Sequence, residues 1–103
     1  MSAVAVARHE WEDGARRLAT ARDDVRRYHQ LLELLDLIVD ELRKRVGQTY
    51  TLEQLAGAYG EAESWAREIL DERSSLPSWP RELTTVLAAA FDAYQLGAVD
   101  YAP

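Results

Sequence analysis

Apolar residues recur through the first half of the chain with the alternating 3–4 spacing of a heptad repeat. The residues at the two apolar positions of successive heptads are Trp11, Gly14, Leu18, Ala21, Val25, Tyr28, Leu32, Leu35, Val39, Leu42 and Val46. No proline interrupts this repeat, and Gly47 follows Arg43, Lys44, Arg45 and Val46, a combination that favours the end of a helix. The pattern predicts one long helix over about residues 4–46.

The length of this helix leaves two alternatives open. If straight, it would exceed about 60 Å, whereas a compact chain of this size has a radius of gyration of about 13 Å. Either the helix breaks near residues 22–24, where an Asp can cap a new start, or part of it projects and pairs with a second copy. The apolar face is narrow in residues 4–27 and wider in residues 28–46, so we expect the second segment to lie in the core and the first to be a thin extension.

The second half of the chain predicts two further helices. Thr51 and Gln54 form a capping box that begins a helix over about residues 51–73, with a break near Gly60 as an open alternative. Pro80 suits the first turn of a helix over about residues 79–96. A C-terminal tail, residues 97–103, follows it. The sequence therefore predicts a single all-α domain: a three-helix bundle with a long N-terminal helix, or a four-helix bundle if that helix breaks.

Composition and charge narrow the possible environments and partners. The 103-residue chain has no cysteine, which excludes disulfides and thiolate metal sites. Its net charge of −6 falls entirely in residues 48–103, and an acidic surface repels nucleic acid and anionic membranes. No apolar run approaches the roughly 20 residues of a membrane span. We expect a cytoplasmic protein.

The sequence shows no motif for catalysis, a cofactor or a metal. His9 and Glu10 begin like a zinc-protease motif, but Asp13 stands where the second histidine belongs. His29 lies about 30 Å from His9 on a straight helix, so the two cannot share an ion. No serine occupies a nucleophile elbow, and no glycine-rich loop precedes a lysine. We expect no enzyme activity and no cofactor.

One segment resembles a DNA-binding motif in part. Residues 51–60 are typical of the first helix and turn of a helix-turn-helix. The recognition helix would then be residues 61–72, which carry five acidic side chains and only Arg67. A major-groove helix needs Arg, Lys, Asn or Gln toward bases and phosphates. A transcriptional regulator using residues 51–72 is therefore the alternative rather than the leading prediction.

The leading prediction is a small helical module for protein–protein interaction, acting through the long first helix. It would form a homo-oligomer or dock on a larger protein partner. Trp11 in particular is expected to be exposed on the narrow part of the apolar face, where an exposed tryptophan marks a partner surface. The candidate interaction residues are Trp11, Leu18, Val25, Tyr28, Leu32, Leu35, Val99 and Tyr101.

Two segments carry a resemblance to known proteins. Residues 46–55 (VGQTYTLEQL) and residues 96–103 (LGAVDYAP) resemble those of an uncharacterised family of small helical proteins from high-GC actinobacteria. The resemblance implies a bacterial, cytoplasmic origin. It implies no activity and no functional residue.

The C-terminal tail generates a first prediction. Val99 and Tyr101 alternate in sequence, which places both on one side of an extended segment, and we expect them to dock on the bundle. Removing residues 98–103 should then lower the melting temperature by several degrees, since about 1 kcal/mol shifts a domain of this size by roughly 4–8 °C. An unchanged melting temperature with lost partner binding would assign the tail to a partner. No change in either would contradict the docking.

Overall fold

The computed structural model describes residues 2–73 and 79–98, and within them every regular element is a helix, as predicted. A short 3-10 turn, Ala21–Asp23, joins the first two of four α-helices. These helices are α1 (Ala3–Thr20), α2 (Val25–Val46), α3 (Leu52–Arg73) and α4 (Trp79–Gln95). No strand occurs in the described part of the chain.

The predicted helix over residues 4–46 is broken, so its continuous form is wrong and the four-helix alternative is the one that forms. Asp24 leaves the helical conformation, with φ −103° and ψ 94°, and its carboxylate accepts the backbone N–H of Arg27 at 3.2 Å. An aspartate in this position satisfies one of the free N–H groups at the start of α2. The break lets α1 fold back, and the longest dimension of the protein is only 44 Å.

The closest contact between helices joins α1 to α4. A Cβ atom built on Gly14 would lie 2.1 Å from the Cβ of Ala88, so the two backbones approach to a distance that only glycine permits. One turn earlier in α1, Trp11 stacks on Phe91, with the ring centres 5.9 Å apart. These contacts pair the middle of α1 with the second half of α4, so the two helices run antiparallel.

Helix α4 lies at the centre of the bundle. Every residue from Val86 to Phe91 is buried, and α4 packs against each of the other three helices, whereas α1 and α2 scarcely touch. Arg27 binds Glu82 at 3.0 Å near the start of both α2 and α4, so these two helices run parallel. A helix that is apolar on all sides is typical of a core position.

The connection between α2 and α3 follows the predicted end and start signals. Gly47 ends α2 with φ 84°, a conformation that L-residues rarely adopt. Thr51 and Gln54 form the predicted capping box, with reciprocal hydrogen bonds of 3.1 and 2.9 Å between side chains and backbone N–H groups. Helix α3 then continues past Gly60 without a break.

The α1–α4 contact predicts opposite effects for two chemically identical substitutions. Gly14→Ala forces a methyl group into Ala88 and should lower the free energy of unfolding by about 1–3 kcal/mol, although alanine is the better helix former. Gly60→Ala meets nothing within 4 Å and should raise it by up to about 1 kcal/mol. Urea unfolding of both variants checks this, and effects of the same sign would contradict the close approach.

Candidate interaction surface

Two of the predicted interaction residues lie in the core. Trp11 is 0% exposed and Leu18 is 9% exposed, so the expectation that Trp11 marks an open surface is wrong. The heptad pattern identified a helix face that needs a partner, and α4 of the same chain supplies it. Residues 4–20 are therefore a packed helix of the bundle and not a thin extension.

Helix α2 has the wide apolar face that the sequence predicted for residues 28–46. Leu31, Leu34, Ile38 and Leu42 are fully buried in the single cluster of buried side chains. This face contacts both α3 and α4. The core-forming role of the second segment is thus confirmed.

A second row of apolar residues runs along the edge of this face. Val25, Leu32 and Val39 are seven residues apart and therefore nearly aligned along the helix; we call them the α2 stripe. Val25 is 64% exposed, and Leu32 and Val39 are half-buried. The stripe contains two of the predicted interaction residues, and the structure adds Val39 from the same repeat.

The remaining two predicted residues of α2 lie between the stripe and the core. Tyr28 and Leu35 are half-buried and pack against the core. The guanidinium of Arg22 lies 5.9 Å from the centre of the Tyr28 ring and covers part of it. These two side chains therefore border the α2 stripe and do not extend it into solvent.

Charged side chains flank the α2 stripe on its solvent side. His29, Asp36 and Arg43 lie closest to it at seven-residue spacing, and Arg26, Glu33 and Asp40 form the next row. All six are exposed. Basic residues occupy the first and last turns of α2, and acidic residues lie between them.

A cleft between α1, α3 and α4 is the rival candidate site. Its volume is about 360 Å³, and it contains Glu10, Tyr59 and Glu63 above an apolar floor. Burial raises the pKa of Tyr59, and the neighbouring Glu10 carboxylate raises it further. The phenol therefore stays protonated at neutral pH. Within residues 2–73 and 79–98, no three His, Cys, Asp or Glu side chains come together as a metal site would require.

Helix α3 does not have the form of a helix-turn-helix. Residues 52–73 are one uninterrupted helix, so the possible turn near Gly60 is not formed. A separate recognition helix over residues 61–72 is therefore contradicted. Within residues 52–72 of α3, the exposed charged side chains are Glu53, Glu61, Glu63, Arg67, Glu68, Asp71 and Glu72. This surface is strongly acidic and opposes contact with phosphates.

The last two predicted interaction residues, Val99 and Tyr101, lie outside the described residues. Among the four helices, none is long and apolar enough to cross a membrane. Comparison of the chain with family models, curated proteins and solved structures found no match. The expected membership in an actinobacterial family stays a prediction.

The environment of Tyr59 predicts a pH dependence of stability. Its pKa in the folded state is raised above the unfolded value of about 10. The contribution of this group to the free energy of unfolding is therefore complete below pH 10 and is lost as the pH rises above 10. Phenylalanine cannot ionise, so the Tyr59→Phe variant should lose less stability than the original chain as the pH rises. Urea midpoints measured between pH 8 and about pH 11.5 check the effect. Equal alkaline loss in both proteins would show that Tyr59 does not contribute.

Proposed function

We propose that the protein is a small helical interaction module that binds a protein through the α2 stripe and has no catalytic role. The partner is a second copy of the chain or a larger protein. The observation that carries this proposal is the row of Val25, Leu32 and Val39, in which Val25 is exposed and the other two residues are half-buried, with Val39 also packing against the core.

The regularity of the row supports a helical partner. Single exposed apolar residues are normal on protein surfaces. Three aliphatic residues at seven-residue spacing are instead the pattern by which one helix packs along another. Each of the three loses further apolar surface when a helix covers the row, which favours association at about 25 cal/mol per Å² before the costs of binding are counted.

The charges around the stripe suit a polar rim. His29, Asp36 and Arg26 flank the apolar row on its solvent side and remain in water, as rim residues do. The rival cleft offers a protonated phenol beside exposed carboxylates, and its described lining residues include no histidine, cysteine or serine. The balance of features therefore favours binding over chemistry.

Site-specific photocrosslinking in cells tests the proposal. A benzophenone side chain placed at residue 25, which is 64% exposed, should give a discrete protein adduct. The matched control is residue 6, a valine on α1 that is 44% exposed. Residue 6 should give no such adduct, because it lies on α1, away from the α2 stripe.

Competition makes the test specific to the surface. An excess of the original chain without the benzophenone should compete for the partner and suppress the adduct at residue 25. The Val6→Asp variant should compete equally well. The Val25→Asp variant should not compete, because an unpaired charge in an apolar contact opposes binding by several kcal/mol. Equal labelling at residues 25 and 6, or no adduct at residue 25, would contradict the proposed function.

A further inference from the structure

The apolar repeat of α1 continues into α2 without a change of register. Leu18, Ala21, Val25 and Tyr28 keep the alternating spacing of three and four residues across the break between the two helices. Residues 15–46 contain neither glycine nor proline, so no residue in this segment prevents one helix from running through it. Val25, the first repeat residue after the break, is 64% exposed. Two separate helices do not require such a shared register.

The break between α1 and α2 depends mainly on Asp24. Thr20 and Ala21 still have right-handed helical φ and ψ angles, whereas Asp24 is extended. None of residues 21–23 is buried, and α1 and α2 scarcely touch. The carboxylate of Asp24 caps α2 by accepting the backbone N–H of Arg27 at 3.2 Å. A rotation at Asp24 would therefore join the two helices at the cost of this cap, with little loss of contact between them.

A continuous helix would carry α1 away from its own bundle. A straight helix over residues 3–46 is about 66 Å long, whereas the longest dimension of the folded chain is 44 Å. Trp11 and Leu18, which α1 now buries, would then have no cover within the chain. The surface of α4 around Ala88 and Phe91 would be vacated at the same time. The present contact between α1 and α4 shows that these two surfaces fit each other.

We propose that the chain also folds as a dimer in which two copies exchange α1. In this form α1 and α2 of each subunit make one continuous helix, and Trp11 stacks on Phe91 of the partner subunit. Exchange of an identical element needs no new complementary surface, because it reuses the contacts of the closed chain. The inference goes beyond the proposed function and does not depend on the α2 stripe.

The balance between the closed chain and the exchanged dimer is set by the hinge and by protein concentration. Both forms contain the same contact between α1 and α4, so that contact favours neither of them. The closed chain prevails in dilute protein, because association costs translational and rotational freedom. Helix α1 must leave its bundle before it can exchange, so the dimer should form during refolding of concentrated protein and then persist.

Two substitutions at one hinge position test the exchange. Asp24→Ala and Asp24→Gly remove the same carboxylate and the same charge. Alanine is the best helix former and favours the continuous helix, whereas glycine is tolerated at a cap and disfavoured within a helix. After refolding from urea at about 1 mM protein, Asp24→Ala should give at least about fivefold more dimer than Asp24→Gly. Size-exclusion chromatography with light scattering measures both.

Ser2→Ala is the control for loss of a helix cap away from the hinge. The hydroxyl of Ser2 caps α1 by accepting the backbone N–H of Ala5 at 3.1 Å. Its removal weakens a helix start as Asp24→Ala does, but it does not favour a continuous helix across residues 21–24. The share of dimer should therefore equal that of the original chain.

A mixing experiment identifies α1 as the exchanged element. Gly14→Ala and Ala88→Gly are placed in separate chains that both carry Asp24→Ala. In an exchanged heterodimer the added methyl group at position 14 meets the glycine introduced at position 88, so the 2.1 Å overlap is removed and the next atoms lie at 3.1 and 3.2 Å. The second contact is that of the original chain. Neither homodimer gains this relief.

Refolding the two chains together should give heterodimers in at least about fivefold excess over statistical assortment. Native mass spectrometry with one chain isotopically labelled counts them. If Gly14→Ala prevents a chain from folding alone, the mixture should recover it as heterodimer. An Asp24→Ala protein that refolds only as monomer overturns the inference. Equal amounts of dimer from Asp24→Ala and Asp24→Gly, or statistical assortment of the mixed chains, would also overturn it.

Discussion

The close approach of α1 and α4 at Gly14 and Ala88 is the constraint on which the rest of the structure depends. With no side chain between them, the two helices come near enough for Trp11 to stack on Phe91 and for Tyr59 to meet both rings edge-on. The three aromatic residues thereby join α1, α3 and α4 in one contact. A larger residue at position 14 would push α1 away from α4, and the three aromatic rings would no longer pack closely.

The same contact explains which surface is left for a partner. Because α1 is held by α4 and α3, it does not extend along α2, and the two helices scarcely touch. Helix α2 packs on α4 with its leucine and isoleucine face, and along the edge of that face Val25 is exposed, Leu32 is half-buried and Val39 packs partly against the core. The surface stripe is therefore a result of bundle geometry and not of excess hydrophobicity in the sequence.

Local signals in the sequence predicted much of the fold. The capping box at Thr51, the glycine at position 47 and the wide apolar face of α2 each depend on neighbouring residues alone, and each is found in the structure. The burial of Trp11 depended instead on a partner helix far away in the chain. A heptad pattern shows that a helix face requires cover but does not identify the helix that provides it.

The α1–α4 contact also affects how the chain reaches its fold, because it joins segments near opposite ends of the sequence. Such distant contacts form late, since the entropy of closing a long loop must be lost first. Helices α2 and α3, which are adjacent in the chain, can pair before α1 docks. During synthesis, Trp11 has no stacking partner until α4 has left the ribosome, so α1 carries an uncovered apolar face during that interval.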